Sequence, residues 1–173
     1  IHAGLYYPAN SIKARLCVTG RRNLYKFATE NGVPFKQLGK LVVATSEAEV
    51  PLLQAIAERA QLNGVGDLRK MDAAQVEAIE PEISCKAALL SPSSGIIDSH
   101  LLMQALEGHL TASGGTIVLN TTVEGVRVRS NETLEILALN KGQTTTVTSR
   151  NLHVAAGLGM SSLRALLPKR NGY

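Results

Sequence analysis

The sequence is poor in aromatic residues and has no concentrated charge. It contains no tryptophan, aromatics make up 3% of its 173 residues, and the net formal charge is +4. Basic residues are scattered, with Arg21-Arg22 and Lys169-Arg170 as isolated pairs. A nucleic-acid interface normally combines a basic stripe with stacking aromatics, so this composition predicts no nucleic-acid partner. A hydrophobic fraction of 45% against 18% charged residues predicts a globular chain with a substantial core.

Cysteines and metal-ligand patterns are also sparse. Cys17 and Cys85 stand alone, which predicts free thiols in a reducing compartment rather than a disulfide or a zinc site. The histidines show no H-E-x-x-H spacing, so we predict no metal and interpret His100, His109 and His153 as structural. No apolar run approaches the roughly 18 residues that a membrane-spanning helix requires.

A complete glycine motif for dinucleotide binding is absent. Such a site needs a glycine turn at a helix N-terminus, where backbone N–H groups meet the pyrophosphate. Gly157-Leu158-Gly159 supplies the first two glycines of G-x-G-x-x-G, but Ser162 stands where the third is required. Ordinary close packing at the end of a strand is the alternative explanation of Ala155-Ala156-Gly157.

Apolar periodicity and turn residues predict a chain that mixes helices with strands. A helix is expected from Asn10 or Ser11 to about Asn31. Its predicted apolar face consists of Ile12, Leu16, Gly20, Leu24 and Phe27. Residues 33–94 are interpreted as an α+β module, with strands over 41–45, 68–71 and 87–90 and helices capped by Ser46 and Asp72.

The second half is predicted to contain a helix followed by several strands. The helix spans about 99–113, and the β-branched segment 116–119 is expected to be a buried strand. Helix and strand together are typical of a right-handed βαβ crossover whose first strand is missing from the sequence. Three further β segments are predicted at 123–128, 134–139 and 144–148, with turns at Ser130-Asn131 and at residues 140–142. A last strand is expected over 151–155, followed by a helix that begins at Ser161 or Ser162.

The first seven residues, IHAGLYY, form a polar and aromatic cluster in an otherwise aliphatic sequence. Histidine can exchange a proton near neutral pH, which makes His2 a candidate acid or base. Gly4 has no Cβ and therefore allows the backbone to approach a flat ligand closely. The alternative is that His2 is an ordinary structural or surface residue.

The same stretch carries a resemblance to a known family. HAGLYYP at 2–8, GKLVVAT at 39–45, SPSSGIID at 91–98 and AAGL at 155–158 occur in the order and at the spacing found in L-2-hydroxyglutarate oxidases and dehydrogenases. These belong to the D-amino-acid-oxidase-like flavoprotein superfamily. The resemblance covers nearly the whole chain and is more specific than any one of its motifs.

The resemblance implies an α/β fold of the mixed α+β kind. It implies part of a Rossmann-like FAD-binding domain with a β-meander, at 1–32 and 95–173, and part of an α+β substrate domain at 33–94. The family carries its glycine motif before the equivalent of Ile1 and further contacts after Tyr173. We therefore interpret the chain as an interior fragment that does not retain FAD by itself and is inactive alone.

The resemblance also implies site residues and partners. His2 is the expected catalytic base or orienting group, and Tyr6, Tyr7 and Lys40 are expected to contact substrate. FAD contacts are expected from Gly4 at the flavin ring, Val123 at the adenine, and Ala156 and Gly157 near the ribityl chain. The implied reaction oxidises a small 2-hydroxy acid, L-2-hydroxyglutarate, by hydride transfer to FAD, with oxygen or a quinone as the electron acceptor.

Several alternatives remain open at this stage. Within the superfamily the substrate could instead be glycerol 3-phosphate or an amino acid, and the chain could be a non-catalytic remnant or interaction domain. We expect a cytoplasmic protein, with peripheral association with the inner membrane left open. Self-association through the apolar segment 116–119 is expected if that segment lacks neighbouring strands.

Overall fold

The computed structural model describes residues 1–129 and 133–167, which fall into two compact units. The first unit is Ile1–Gly114 and the second begins at Gly115. The helices are α1 (Ile12–Glu30), α2 (Val50–Leu62), α3 (Ala73–Glu77), α4 (Ser99–Ala112) and α5 (Met160–Leu166). The strands are β1 (Phe35–Lys36), β2 (Leu41–Ala44), β3 (Arg69–Asp72), β4 (Ala87–Leu90), β5 (Ile96–Ile97), β6 (Thr121–Val128), β7 (Leu134–Asn140) and β8 (Gln143–Ser149).

The predicted mixture of helices and strands is confirmed. The two compact units reflect packing and say nothing about which residues bind substrate. The assignment of 33–94 to a substrate domain therefore stays a prediction. Within the described residues, no helix is both long enough and apolar enough to cross a bilayer.

Helix α1 begins and ends as predicted but turns a different face inward. The Ser11 hydroxyl accepts a hydrogen bond from the Ala14 amide (3.1 Å), and Gly32 (φ 64°) follows the cap at the other end. The predicted apolar face is wrong at its beginning, because Ile12 and Leu16 are 71% and 66% exposed. The small residues Ala14 and Ala28 are buried instead. Apolar spacing identifies the helix, but its inward face depends on which neighbours it contacts.

The core of the first unit is an antiparallel sheet covered by α2. The strand order is β2-β4-β3, and the central strand β4 contributes the buried residues Ala88 and Leu89. Leu53 of α2 packs against Leu89 and Ala44. A short 3-10 turn, Glu47–Glu49, leads into α2, and Pro51 lies in the first turn of that helix, where proline is tolerated.

The predicted helix caps of this unit are confirmed. The Glu49 carboxylate accepts hydrogen bonds from the Thr45 amide (2.7 Å), the Thr45 hydroxyl (2.9 Å) and the Ser46 amide (3.2 Å). Because these bonds favour the charged form, above all the one from the Thr45 hydroxyl, they lower the pKa of Glu49. Asp72 caps α3 by accepting from the Gln75 amide (2.9 Å), with Gln75 accepting from Asp72 in return.

A short two-stranded ribbon precedes α4, the last helix of the first unit. Strand β1 pairs with β5 in antiparallel register, Phe35 opposite Ile97 and Lys36 opposite Ile96. The Asp98 carboxylate then accepts from the Leu101 amide (2.9 Å) and begins α4, which confirms the predicted helix. Cys17 and Cys85 are free and half-buried, as the isolated cysteines predicted.

The second unit contains the predicted β-meander. Strands β6, β7 and β8 pair antiparallel in chain order, with an irregularity in β6 between Val123 and Gly125. Lys141 (φ 47°) and Gly142 (φ 80°) form the tight turn between β7 and β8, because a two-residue hairpin turn needs left-handed backbone at both positions. The predicted turn at Ser130-Asn131 lies outside the described residues.

Two predicted strands are wrong. Residues 116–119 and 151–155 have no strand structure, and the side chains of Ile117, Val118 and Leu119 are exposed. Every strand pairing among the described residues is antiparallel, and the described chain has no strand at 116–119 to serve as the second strand of the predicted βαβ crossover. β-branched composition favours an extended backbone, but a strand also requires a neighbour whose N–H and C=O groups face its own.

We expect Leu89→Ala to destabilise the first unit strongly. Leu89 is 2% exposed at the centre of the sheet, and its truncation should cost about 2–4 kcal/mol through lost burial and a new cavity. Leu52→Ala is the matched control, because Leu52 is 60% exposed on α2 and should change stability by less than about 1 kcal/mol. Urea unfolding followed by circular dichroism measures both, and equal losses would contradict this description of the core.

Candidate functional site

The first unit contains an open cleft of about 380 Å³. Three separate stretches of chain form its walls, namely residues 1–7, 39–40 and 94–96. The cleft brings together every site residue that the sequence predicted within this unit: His2, Gly4, Tyr6, Tyr7 and Lys40. None of the side chains that line the cleft is acidic, so its fixed charge favours an anionic ligand.

Burial of alternate side chains holds the first wall in place. Ala3 and Leu5 are 3% and 2% exposed and pack with Ala60 and Val65 of the α2 region. His2 and Tyr6, on either side of this buried pair, are exposed and line the cleft. The segment therefore inserts its apolar side chains into the core and leaves an imidazole and a phenol at the cleft surface.

Backbone hydrogen bonds join this wall to residues 94–96. Ile1 N donates to the Gly95 carbonyl (2.6 Å), and Gly95 N donates to the Ile1 carbonyl (3.2 Å). A Cβ at position 95 would lie 2.5 Å from the Lys36 carbonyl oxygen and would also overlap the Tyr25 hydroxyl. Only glycine fits where the chain passes so close to its neighbours.

Lys40 enters the cleft from the start of β2. Two backbone hydrogen bonds join it to Ser91: the Lys40 N–H donates to the Ser91 carbonyl (3.1 Å), and the Ser91 N–H donates to the Lys40 carbonyl (2.8 Å). Its ammonium group lies 4.5 Å from the centroid of the Tyr6 ring, within the range of a cation–π contact. Within residues 1–129 and 133–167, no carboxylate forms an ion pair with Lys40. The ammonium group is therefore available to an anion.

A buried serine turn supports the second and third walls. Ser91, Ser93 and Ser94 are buried, and the hydroxyls of Ser91 and Ser94 lie 3.1 Å apart. Two α1 side chains hold this turn: Arg21 donates to the Ser93 hydroxyl, and the Tyr25 hydroxyl donates to the Ser93 carbonyl (3.1 Å). Burial raises the pKa of Tyr25, although the positive charge of Arg21 acts in the opposite direction. Tyr25 therefore stays a neutral donor.

Gly4 has a structural explanation that the sequence did not reveal. Its φ of +99° lies in the region that favours glycine, and a Cβ there would lie 3.1 Å from Val18 Cγ2 and 3.6 Å from Cys17 Cβ. The missing Cβ therefore allows α1 to approach, independently of any ligand. The predicted contact of Gly4 with a flavin ring stays a prediction.

The remaining predicted contacts lie in the second unit. Val123 is half-buried on β6 opposite Ala138, beside the irregularity in that strand. Ala156 and Gly157 are exposed, and Gly157 (φ 52°) begins the 3-10 turn Gly157–Gly159 that precedes α5. Their predicted contacts with FAD stay predictions. No group of three or more His, Cys, Asp or Glu residues in the described chain could hold a metal ion.

Two residues at the cleft were not predicted as functional. Asn63, at the end of α2, donates from its side-chain amide to the carbonyls of Gly4 (3.1 Å) and Tyr7 (2.9 Å). Gly39 (φ 80°) turns the chain towards Lys40, and its amide donates to the Ser94 carbonyl (3.0 Å). Asn63 looks like an ordinary helix cap in sequence. Gly39 stands just before a predicted strand, which is a usable turn signal.

We expect Gly4→Ala to destabilise the first unit by about 1–3 kcal/mol, because alanine must adopt a strained φ and press against Val18. Gly20→Ala is the matched control within α1, where an added Cβ meets nothing within 4 Å. That change should stabilise the chain by about 0.5–1 kcal/mol through helix propensity. Thermal or urea unfolding measures both variants, and a Gly4→Ala chain as stable as the unsubstituted chain would contradict the packing explanation.

Comparison with known proteins places the whole chain in one family. Residues 1–172 match the family model described as FAD dependent oxidoreductase. Among curated relatives, the mitochondrial L-2-hydroxyglutarate dehydrogenase of Arabidopsis thaliana is 39% identical over 147 residues, covering 72% of this chain and 30% of the relative. The enzyme of the same name from Caenorhabditis elegans is 34% identical over 166 residues, covering 96% of this chain and 38% of the relative.

A solved structure supports the same fold. FAD-bound L-alpha-glycerophosphate oxidase from Mycoplasma pneumoniae matches with a TM-score of 0.85 at 20% identity, over 95% of this chain and 44% of that chain. The present chain thus spans about a third of the length of the curated relatives it matches. The chain belongs to the FAD-dependent oxidoreductase family, as its sequence motifs had indicated.

Proposed function

We propose that the protein oxidises a 2-hydroxy acid, L-2-hydroxyglutarate, to the corresponding 2-oxo acid, and that the cleft binds this substrate. Three observations support the proposal: the family match, the names of the curated relatives, and a cleft whose lining suits a carboxylate. The observation that carries it is the convergence of His2, Tyr6, Tyr7 and Lys40 on that one cleft. Oxygen or a quinone as electron acceptor, and association with a membrane, stay predictions.

The residues of the cleft fit the ring end of FAD. A flat heteroaromatic ring is normally bound by apolar and aromatic side chains with a few convergent polar groups. Ile1 and Ile96 supply apolar surface here, and His2 and Tyr6 supply polar atoms beside it. When bound, FAD supplies the acceptor for the hydride that leaves the substrate carbon. Further FAD contacts are proposed for the backbones of Val123, Ala156 and Gly157.

His2 is proposed to hold the proton of the substrate hydroxyl. The imidazole is exposed at the cleft, while the backbone on either side of it is fixed by the Ile1–Gly95 pair and by buried Ala3. A base that accepts the hydroxyl proton while hydride leaves the same carbon avoids a charged, high-energy intermediate. A fixed backbone also reduces the entropy that the imidazole loses on reaching its reactive geometry.

Lys40 is proposed to bind a substrate carboxylate. Its ammonium group has no carboxylate partner in the described chain and lies over the Tyr6 ring, which limits its freedom without neutralising its charge. Tyr6 and Tyr7 line the same cleft and can donate hydroxyl hydrogens to carboxylate oxygens. A 2-hydroxy diacid offers two carboxylates to these groups, and a neutral alcohol offers none.

Replacing His2 tests the proposed proton acceptor. In the FAD-loaded protein, His2→Ala should reduce kcat for L-2-hydroxyglutarate by about 10²–10⁴-fold, because the hydroxyl proton loses its acceptor. His100→Ala is the control: His100 lies on α4, outside the cleft, and contacts Gln104. Turnover is measured with an added electron-accepting dye that reoxidises the flavin in each cycle. Undiminished turnover in His2→Ala with flavin still bound would remove His2 from the mechanism.

Replacing Lys40 tests the substrate class. Lys40→Met should raise KM for L-2-hydroxyglutarate by about tenfold or more, because a charged hydrogen bond to carboxylate is lost. Lys26→Met is the control, because Lys26 is exposed on α1 and pairs with Glu30 at 3.7 Å.

A panel of glycerol 3-phosphate, amino acids and 2-hydroxy acids should bleach the flavin fastest with the hydroxy diacid. A faster reaction with glycerol 3-phosphate or an amino acid would reassign the substrate within the family. A folded protein that binds FAD but is bleached by none of them would contradict the proposed activity and favour the non-catalytic alternative.

A further inference from the structure

The wall of the cleft that carries Tyr6 and Tyr7 belongs to no helix or strand. Its backbone polar groups therefore cannot be paired by a regular ladder and need other partners. The Ile1–Gly95 pair secures one end, and the burial of Ala3 and Leu5 secures the middle. What secures the other end decides where the two tyrosines lie.

Asn63 supplies that attachment from a rigid position. It caps α2, and its backbone N–H donates to the carbonyls of Arg59 (3.0 Å) and Ala60 (3.1 Å). Gly64 (φ 83°) ends the helix after it, and Val65 is buried. From this position one side-chain amide donates to two carbonyls three residues apart, those of Gly4 and Tyr7. These two bonds span the bend that contains Tyr6.

We propose that Asn63 is a positioning residue for the cleft: through the carbonyls of Gly4 and Tyr7 it holds the Tyr6 ring beside the Lys40 ammonium group. The consequence for the reaction rests on the proposed function, in which Lys40 receives a substrate carboxylate. The Tyr6 ring lies 4.5 Å from the Lys40 nitrogen, a contact between residues 34 positions apart that exists only while the bend is held. Among the described residues, one other side chain donates a hydrogen bond to the bend: the bond from Arg59 to the Tyr6 carbonyl is long at 3.5 Å.

A purely structural role explains Asn63 less well. The oxygen of its side-chain amide is buried and has no hydrogen-bond partner among the described residues, which offsets part of what the two donated bonds contribute to folding. The helix end does not need the side chain, because backbone bonds and Gly64 already terminate α2. Loss of the amide should therefore affect the bend more than the stability of the unit.

The chain offers a matched control in Asn31. It occupies the same position at the end of α1, also before a left-handed glycine, Gly32. Its side-chain amide donates to Phe27 of its own helix (2.8 Å) and its oxygen contacts His109, so it reaches no residue of the cleft wall. Asn31→Ala removes the same chemical group from an equivalent cap without touching the bend.

The position of Tyr6 over Lys40 can be observed directly by NMR. An aromatic ring shifts nearby lysine side-chain protons upfield, so Lys40 should give a shifted ε-methylene signal in isotope-labelled protein, identified by its loss in Lys40→Met. We expect Asn63→Ala to return this signal towards that of free lysine, and Asn31→Ala to leave it in place. In the FAD-loaded protein, Asn63→Ala should raise KM for L-2-hydroxyglutarate by about tenfold with a smaller effect on kcat.

The outcomes separate the inference from the proposed function. A Lys40 signal unchanged in folded Asn63→Ala would overturn the positioning role, whatever the activity. If Asn63→Ala removes the upfield shift of the Lys40 signal but the unsubstituted protein oxidises no hydroxy acid, the positioning role is supported and the proposed function is rejected. If Asn63→Ala does not fold, Asn63→Ser keeps one donor: a partly displaced signal with raised KM supports the role, and an unchanged signal with unchanged KM overturns it.

Discussion

The first unit depends on the burial of two apolar side chains, those of Ala3 and Leu5, from a segment that has no regular structure. Ala3 and Leu5 insert between α1 and the α2 region, and their burial fixes a stretch that no strand ladder could hold. Each buried apolar group contributes in proportion to the area it removes from water. The same insertion requires Gly4 between them, because α1 occupies the space that a Cβ would need. The burial of Ala3 and Leu5 therefore contributes both to the core and to the position of the first cleft wall.

The cleft shows how distant parts of a chain produce a local electrostatic environment. Lys40 reaches the cleft because β2 pairs with β4 and because the serine turn bonds back to Gly39 and Lys40. The Lys40 ammonium group contacts the face of the Tyr6 ring and pairs with no carboxylate in the described chain. Its charge therefore remains unneutralised at the surface of the cleft. An ammonium group over a ring keeps its attraction for anions while losing little mobility on binding one. These are the properties a carboxylate site needs.

Features that depend on a few neighbouring residues could be predicted from the sequence. The caps at Ser11 and Asp72 are local, as is the Lys141-Gly142 turn, and the structure confirms them. Features that depend on partners could not be predicted in this way. Residues 116–119 have strand composition but face no strand in the described chain, and α1 turns inward the alanines that its neighbours admit. Periodicity gives the element, and tertiary contacts give its face and its pairing.

The candidate site divides along the same line. His2, Tyr6, Tyr7 and Lys40 were selected through resemblance to a family, and their convergence on one cleft is a tertiary fact that no local pattern contains. The role of Asn63 at the cleft could not be predicted, because in the sequence its position at the end of a helix already explains it. Its two hydrogen bonds to the cleft wall depend on the tertiary fold. Gly4 is the opposite case, because packing against α1 already accounts for the glycine and its predicted flavin contact stays a prediction. The side chains of His2 and Lys40 are exposed and therefore available to a ligand, whereas Gly4 is buried against α1.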